Sequence, residues 1–146
     1  MKIKLLCLGR LNKEIENELC ERYLKRTNIL KKSGISDLTI DHLNIENLKK
    51  RLNSSKEKSF FFELSEKGKS YSTHDFVQKL NYLITNSFKY CFFIIGKPDG
   101  NKENLIKADE KICLSKMTFT HSLSRVILLE QIYRCATIMI NHPYHK

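Results

Sequence analysis

Short apolar runs alternate along the chain with longer segments in which apolar residues recur at helical spacing. Ile3–Leu8 is an apolar run that predicts a strand. Asn12–Arg26 instead places Ile15, Leu19 and Tyr23 on one face, which predicts an amphipathic helix.

The same alternation continues to the end of the chain. Tyr90–Ile95 is an unbroken apolar run bounded by Gly96, which is typical of a strand buried on both faces. Ser72–Asp75 resembles a capping box at the start of a helix. The remaining elements are predicted as strands at Leu38–Leu43, Phe60–Leu64 and Lys116–Phe119, and as helices at Ile45–Leu52, from Asn101 to about Ile112, and over the apolar C-terminal stretch.

Strands that are separated by helices pair in parallel, so the pattern predicts a three-layer α/β sandwich. No linker or repeat divides residues 1–146, and we expect a single domain, with the basic stretch Lys25–Ser36 as a surface connection. Parallel sheets bind ligands beyond the carboxyl ends of their strands. Three loops are expected there, namely Ser65–Ser70, Gly96–Gly100 and Phe119–Ser124.

The net charge of the chain indicates the class of molecule that it binds. The 146 residues carry a net charge of +10 and a pI near 9.4, which points to a polyanion such as RNA, DNA or an anionic membrane surface. The alternative is that the lysines only maintain solubility.

The cysteines and the N-terminus indicate a compartment. The five cysteines are odd in number, widely spread and never spaced as C-x-x-C, which predicts reduced thiols in a cytoplasmic protein rather than a disulfide framework or a zinc site. The chain opens with a strand-like run and lacks the roughly 20 apolar residues that span a bilayer. We therefore expect neither a signal peptide nor a membrane anchor.

The loop Gly96–Gly100 follows the predicted buried strand and precedes a predicted helix. Glycine lets a ligand approach the backbone closely, so this loop is a candidate for cradling a nucleotide or its ribose. It matches neither a P-loop nor the G-x-G-x-x-G fingerprint. An ordinary strand-to-helix turn is the alternative interpretation.

The C-terminal segment concentrates proton donors, proton acceptors and positive charge. His121 and Arg125 lie four residues apart where a loop enters the last helix, and Glu130 and Arg134 repeat that spacing. The chain then ends in Asn141–Lys146, with two histidines, a tyrosine and a lysine. We interpret this segment as an active-site wall. The simpler alternatives are a surface arginine with an ordinary histidine cap, an intrahelical ion pair and a frayed terminus.

Five motifs follow one another from the third strand to the C-terminus. They are Leu64-x-x-x-Gly68-Lys69, Ile95-Gly96-x-x-x-Gly100, Leu114-Ser115-Lys116-Met117-Thr118-Phe119-x-His121-x-x-x-Arg125-Val126, Glu130-Gln131-x-Tyr133-Arg134 and Asn141-His142-Pro143-Tyr144-His145-Lys146. Their ordered combination resembles the RlmH family, small SPOUT-class methyltransferases that modify N3 of a pseudouridine in large-subunit (23S) ribosomal RNA.

The resemblance implies a SPOUT fold with a C-terminal trefoil knot, a homodimer, and S-adenosylmethionine as the cofactor, with no metal. It implies cofactor contacts, largely through backbone groups, from Leu64, Gly96, Leu114, Ser115, Lys116, Met117, Thr118 and Phe119. It implies substrate contacts from His121, Arg125, Arg134, Tyr144 and His145, in part from the opposite subunit. Large-subunit ribosomal RNA or the assembled ribosome is then the expected partner, which suits the positive charge.

The implied reaction requires that a proton be removed from the acceptor nitrogen. N3 of the acceptor is a poor nucleophile until its proton leaves. His121 or His145 is the candidate base, and Arg125 or Arg134 is the candidate partner of the developing oxyanion or of a phosphate. Two other functions stay open at this point. One is a non-catalytic, ribosome-associated RNA-binding protein, and the other is a SPOUT methyltransferase that acts on another RNA such as transfer RNA.

Three positions depart from the family pattern. Lys97 stands where related sequences commonly have a second glycine, and Ser65–Gly68 is more charged than the usual apolar lead-in. Thr120 replaces the more usual proline before His121. None of these changes removes a residue with an obvious chemical role.

Overall fold

The computed structural model describes residues 1–8, 15–54, 57–96 and 108–144 of the chain. Strands and helices alternate along these ranges. The strands are β1 (Lys2–Leu8), β2 (Asp37–Leu43), β3 (Ser59–Ser70), β4 (Tyr90–Ile95) and β5 (Glu110–Cys113), and the α-helices are α1 (Ile15–Ile29), α2 (Ile45–Ser54), α3 (Thr73–Thr85) and α4 (His121–Met139). A single 3₁₀ turn at Lys31–Ser33 leads from α1 towards β2.

The strands form one sheet in the order β2-β1-β4-β3-β5, and every pairing in it is parallel. This confirms the predicted α/β class. The chain leaves β1 towards β2 on one side and leaves β4 towards β5 on the other. The carboxyl ends of β1 and β4 therefore flank a topological switch point, where sheets of this kind bind ligands.

Both faces of the sheet are covered, as a three-layer sandwich requires. Alternate side chains of β4 enter two separate clusters, with Cys91, Phe93 and Ile95 on one face and Phe92 and Ile94 on the other. The larger cluster packs against α1, α3 and α4, whereas the smaller one packs against α2. Burial on both faces explains why β4 is apolar without interruption, and its predicted bounds are confirmed.

Two helices begin with the caps that their sequences suggest. The Ser72 hydroxyl accepts a hydrogen bond from Asp75 N at 3.1 Å, which confirms the predicted capping box of α3. At α4 the Thr120 hydroxyl accepts from Leu123 N at 3.3 Å. Thr120, which departs from the family pattern, therefore satisfies a backbone donor that proline would leave free.

Several predicted boundaries are wrong. Ser65–Ser70 is not a loop but the second half of β3, because it pairs again with β5 after a register shift. The end of the helix predicted to reach Ile112 is instead β5, since pairing with β3 outweighs a weak helical pattern. The first helix ends three residues later than predicted, at Ile29, and it shortens the surface connection that was expected from Lys25.

The strand predicted at Lys116–Phe119 is also wrong. The segment is irregular, and Ser115 Oγ accepts a hydrogen bond from Met117 N at 3.0 Å, a local contact that competes with extended pairing. The parts of the predictions that concern residues 9–14 and 97–107 lie outside the described residues. The expected trefoil knot depends on that second segment and stays a prediction.

The backbone of β3 crosses β5 at very close range. Ile112 pairs with Leu64 before the register shift and with Lys69 after it. A Cβ atom at Gly68 would lie 2.5 Å from the Ile112 carbonyl carbon and 2.8 Å from Cys113 N. Only glycine fits here, which supplies a physical reason for the Leu64-x-x-x-Gly68 motif.

A polar cluster fixes β5 to the helix that follows β3. Glu110 of β5 forms an ion pair with Lys79 of α3 at 2.9 Å and accepts a hydrogen bond from the Tyr71 hydroxyl. Burial and this hydrogen bond raise the pKa of Tyr71, so the hydroxyl stays a donor. The cluster holds the crossing in place from outside the sheet.

One edge of the sheet is closed by a side chain. β2 is an edge strand, and Leu38 there accepts a hydrogen bond from Asn28 Nδ2 at 2.9 Å. Leu38 N in turn donates to Asn28 Oδ1 at 2.8 Å. The amide of Asn28 thus pairs with the strand as a neighbouring backbone would.

Two expectations about composition are resolved by the fold. The five cysteines are buried and free, as predicted. Among the helices of the described residues, none has the length and apolar character needed to cross a bilayer.

Candidate functional site

β4 and β5 end, and β3 shifts its register, at one level on the carboxyl edge of the sheet. In the register, Glu63 of β3 pairs with Ile94 of β4, and Leu64 pairs with Ile112 of β5. Gly96 and the segment 114–119 therefore leave the sheet beside Leu64. The structure brings together the residues that the sequence predicted as cofactor contacts.

The segment after β5 is held by local and distant hydrogen bonds. The Cys113 thiol donates to the Ser115 carbonyl at 2.7 Å, and the Thr118 hydroxyl donates to Glu66 Oε1 at 2.7 Å. The second bond ties this segment to the excursion of β3. Met117 projects from it with 74% of its surface exposed, an apolar side chain at the mouth of the site.

Glu66 is a site residue that sequence reasoning did not identify. It belongs to the charged stretch Ser65–Gly68, and nothing local indicates a contact with Thr118, which lies 52 positions away. Its neighbour Lys67 is exposed. The charged stretch Ser65–Gly68, which departs from the family pattern, thus supplies the residue that binds Thr118.

Arg125 lies in the second turn of α4 and is only 2% exposed. Among the described residues, its Nε and Nη1 atoms have no hydrogen-bond partner. The alternative of a surface arginine is therefore wrong. His121 begins the same helix one turn earlier, directly after the segment 114–119, and is half-buried.

The charge of Arg125 affects the pKa values of two buried thiols. Burial raises the pKa of Cys7 in β1 and of Cys20 in α1 to about 11, while the guanidinium of Arg125 opposes that rise in both. The guanidinium thus acts on thiols of both α1 and β1, which contribute with α4 to one buried cluster. The thiols stay protonated near neutral pH and do not compensate the positive charge.

The other end of α4 carries a fully paired arginine. Arg134 Nη2 and Nε lie 2.6 Å and 3.0 Å from Glu130 Oε1, which confirms the intrahelical ion pair. Gln131 Nε2 donates to the second carboxylate oxygen of Glu130 at 2.7 Å. The hydrogen bonds that Arg134 donates to Glu130 raise the pKa of Arg134 above its ordinary value.

The tail packs back onto this end of the helix. The Tyr144 hydroxyl donates to Glu130 Oε1 at 3.4 Å, and its ring meets Tyr133 edge-on at 4.7 Å. Arg134 lies over the same ring at 5.0 Å. Burial and a contact with Tyr23 raise the pKa of Tyr144. The alternative of a frayed terminus is wrong as far as Tyr144, and His145 lies outside the described residues.

The predicted substrate contacts fall into two groups. Arg134 follows Arg125 by nine positions in α4, which is about 13 Å along the helix axis. His121 and Arg125 lie near the start of α4, whereas Arg134 and Tyr144 lie towards its far end. One chain does not bring the two groups together. Within the described ranges, no cluster of three or more potential metal ligands is present.

Comparison with known proteins gives a consistent result. The family model described as "Predicted SPOUT methyltransferase" matches residues 1–145. A ribosomal RNA large subunit methyltransferase H from Mycoplasmopsis synoviae is 38% identical, with all of both chains covered. Proteins of the same name from Christiangramia forsetii and Ruminiclostridium cellulolyticum are 35% and 34% identical, with 99% and 100% of each chain covered.

Proposed function

This chain belongs to the SPOUT methyltransferase family, and we propose that it transfers a methyl group from S-adenosylmethionine to N3 of a pseudouridine in large-subunit ribosomal RNA. The observation that carries the proposal is the full-length match to relatives named as large-subunit ribosomal RNA methyltransferases. The net charge of +10 suits a substrate that is a polyanion.

The carboxyl edge suits a cofactor held by backbone groups. Leu64, Gly96 and Leu114 lie near one another at this edge, and the crossing at Gly68 has no space for a side chain. The residues of 114–119 add apolar surface from Met117 and Phe119. When bound there, S-adenosylmethionine supplies an activated methyl group, and the protein needs only to orient the acceptor.

The acceptor side of the site has to manage a proton. We propose that His121 or His145 removes the proton from N3, and that an arginine stabilises the charge left on the ring. His121 is placed for this role at the start of α4, beside the cofactor segments.

A second copy of the chain completes the site in this proposal. α4 has 19 residues and is therefore about 28 Å long, with one group of substrate contacts near each end. A two-fold axis across the middle of α4 would carry Arg134 and Tyr144 of one copy to His121 and Arg125 of the other. We therefore propose a homodimer with two composite sites. The buried free thiols favour a cytoplasmic location.

Methyl incorporation into ribosomes tests the function. Large ribosomal subunits that lack the modification are incubated with the purified protein and radiolabelled S-adenosylmethionine, and digested RNA is analysed by mass spectrometry. We expect one methyl group per subunit, at N3 of a pseudouridine, and saturable calorimetric binding of S-adenosylmethionine. Tight binding to ribosomes without either result would instead indicate a non-catalytic RNA-binding protein. Methylation of transfer RNA alone would indicate a different substrate.

A further inference from the structure

Arg125 is a buried cation whose counterion does not appear among the described residues. It is 2% exposed, and it takes part in none of the ion pairs found in the described ranges. Asp41, which acts electrostatically on the same Cys7 thiol, is already paired with Lys4 and Arg51. A buried charge of this kind is costly unless something neutralises it.

The surroundings of Arg125 restrict where an anion would sit. Its guanidinium acts on the Cys7 thiol, and α4 and β1 contribute to the same buried cluster. Cys7 pairs with Ile95 at the carboxyl end of β4. The proposed cofactor segments follow β4, β3 and β5, and β1 lies on the opposite side of β4. The methyl acceptor would then enter on the β1 side of the switch point, next to Arg125.

We propose that Arg125 is the catalytic residue that receives the negative charge of the acceptor ring when N3 loses its proton. The inference rests on the proposed function and assigns a role that sequence left open between Arg125 and Arg134. Arg134 already has its charge compensated by Glu130 at 2.6 Å, whereas no acid in the described ranges pairs with Arg125.

The chemistry balances with one base and one donor. The base takes the N3 proton, and the charge left on the ring spreads over N3 and its two flanking carbonyl oxygens. The guanidinium donates to one of these oxygens, so that the N3 lone pair stays free to react. The N3 lone pair then forms the new bond to the methyl carbon. The old carbon–sulfur bond breaks, and its electron pair stays on sulfur as a neutral thioether.

Two other anions fit the location less well. A phosphate of the RNA backbone is joined to ribose on both sides and stays at the protein surface, whereas a base turned out of its stack enters a pocket. The carboxylate of S-adenosylmethionine would lie with the cofactor segments, on the far side of β4. Both alternatives give distinct results in the experiment below.

The test compares Arg125→Met and Arg125→Lys with a control variant, Arg22→Met. The control makes the same arginine-to-methionine change on the exposed face of α1. In single-turnover methylation of large subunits, we expect Arg125→Met to lower the rate roughly 100-fold or more, as for loss of an oxyanion donor. The methylation rate of Arg125→Met should rise at a pH that is higher than in the wild type by roughly one to three units. The affinity for S-adenosylmethionine and the KM for subunits should be unchanged. Arg125→Lys should keep part of the rate, and Arg22→Met all of it.

Thermal unfolding gives a readout that does not depend on activity. Since Arg125→Met removes an uncompensated buried charge, we expect it to melt at or above the temperature of the wild type. An unfolded or less stable Arg125→Met protein would show that the charge is compensated in the free enzyme, and would overturn the proposal.

Each alternative anion has its own signature. Weaker binding of S-adenosylmethionine would assign Arg125 to the cofactor carboxylate, and a raised KM with a smaller salt dependence would assign it to an RNA phosphate. An unshifted pH profile would also overturn the proposal. Wild-type protein that neither binds S-adenosylmethionine nor methylates ribosomes would refute the proposed function itself, and the unfolding comparison still reports on Arg125 in that case.

Discussion

The two ends of α4 carry the same spacing of polar residues in opposite electrostatic states. Glu130 and Arg134, four residues apart, neutralise each other at 2.6 Å, and Tyr144 adds a hydrogen bond to the same carboxylate. His121 and Arg125, also four apart, leave a buried cation without an acid in the described residues. The paired end is neutralised by Glu130, whereas the unpaired end, named for Arg125, has no acid in the part of the chain that the structure describes to neutralise its cation.

The largest expected effect comes from disturbing the support of the unpaired end. Gly68→Ala places a Cβ 2.5 Å from the backbone of β5, which leads into the start of α4, and we expect a loss of about 3 kcal/mol in the free energy of unfolding. Binding of S-adenosylmethionine should weaken as well. Chemical denaturation and calorimetry measure the two effects.

A matched substitution on the opposite edge of the sheet is the control. Gly34 has a φ of +83° and a Cβ there would meet only the Ile84 side chain at 3.0 Å. Gly34→Ala should cost about 1 kcal/mol without changing cofactor affinity. Equal loss of affinity in both variants would remove the link between the crossing and the site.

Breaking the paired end should have an intermediate effect. Glu130→Gln removes the charge that Arg134 and Tyr144 share, and we expect about 1–2 kcal/mol less stability together with a mobile tail. Urea unfolding measures the first effect, and hydrogen exchange of the Tyr144 amide measures the second. Lys111→Met, which breaks the more exposed ion pair to Glu63, should cost much less. If the two variants were equally stable, the paired end would not be an anchoring point.

A smaller effect is expected from the cap of the unpaired end. Thr120→Ala removes the acceptor of Leu123 N and should cost about 1 kcal/mol. Because the first turn of α4 positions His121, methyl transfer should fall as well. Ser72→Ala removes the equivalent cap of α3 and should cost similar stability without loss of activity. A fall in activity for both variants would point to general loosening rather than to the start of α4.

The smallest effect is a pH dependence that involves both ends. Burial raises the pKa of Cys7 to about 11 and that of Cys135 to about 12, from an ordinary value of 9.0. Because the folded thiols keep their protons, stability is fully present below pH 9 and falls as the pH rises towards 11. At pH 9 the loss should be about 0.4 kcal/mol per thiol. Urea titrations of the wild type, Cys7→Ala and Cys135→Ala from pH 8 to 10.5 measure it, and identical slopes would contradict the assignment.

Local signals in the sequence predicted the elements that depend on local interactions. The unbroken apolar run of β4, the Ser72 cap of α3 and the ion pair of Glu130 with Arg134 were all predicted, because each is determined by residues within a few positions. The extension of β3 to Ser70 was missed, because its pairing partner in β5 lies some 40 residues further along the chain.

The residues of the candidate site were proposed from the sequence, whereas their burial and charge pairing were not. The cofactor segments were chosen from motifs, and their junction at one edge follows from the strand order, which alternation alone does not determine. The burial of Arg125 depends on the packing of α1 and β1 around α4, and the bond from Thr118 to Glu66 joins segments that are distant in sequence. Neither has a signature that periodicity or composition would reveal.

The side-chain amide of Asn28 affects how readily the protein aggregates in the cell. A parallel edge strand with free N–H and C=O groups is a template on which extended segments of other chains add, and that is a route to aggregation. Close to ribosomes, where unfolded nascent chains are abundant, such an edge would be exposed to constant mispairing. By occupying both backbone groups of Leu38, Asn28 makes this edge resistant to strand addition at the cost of one side chain.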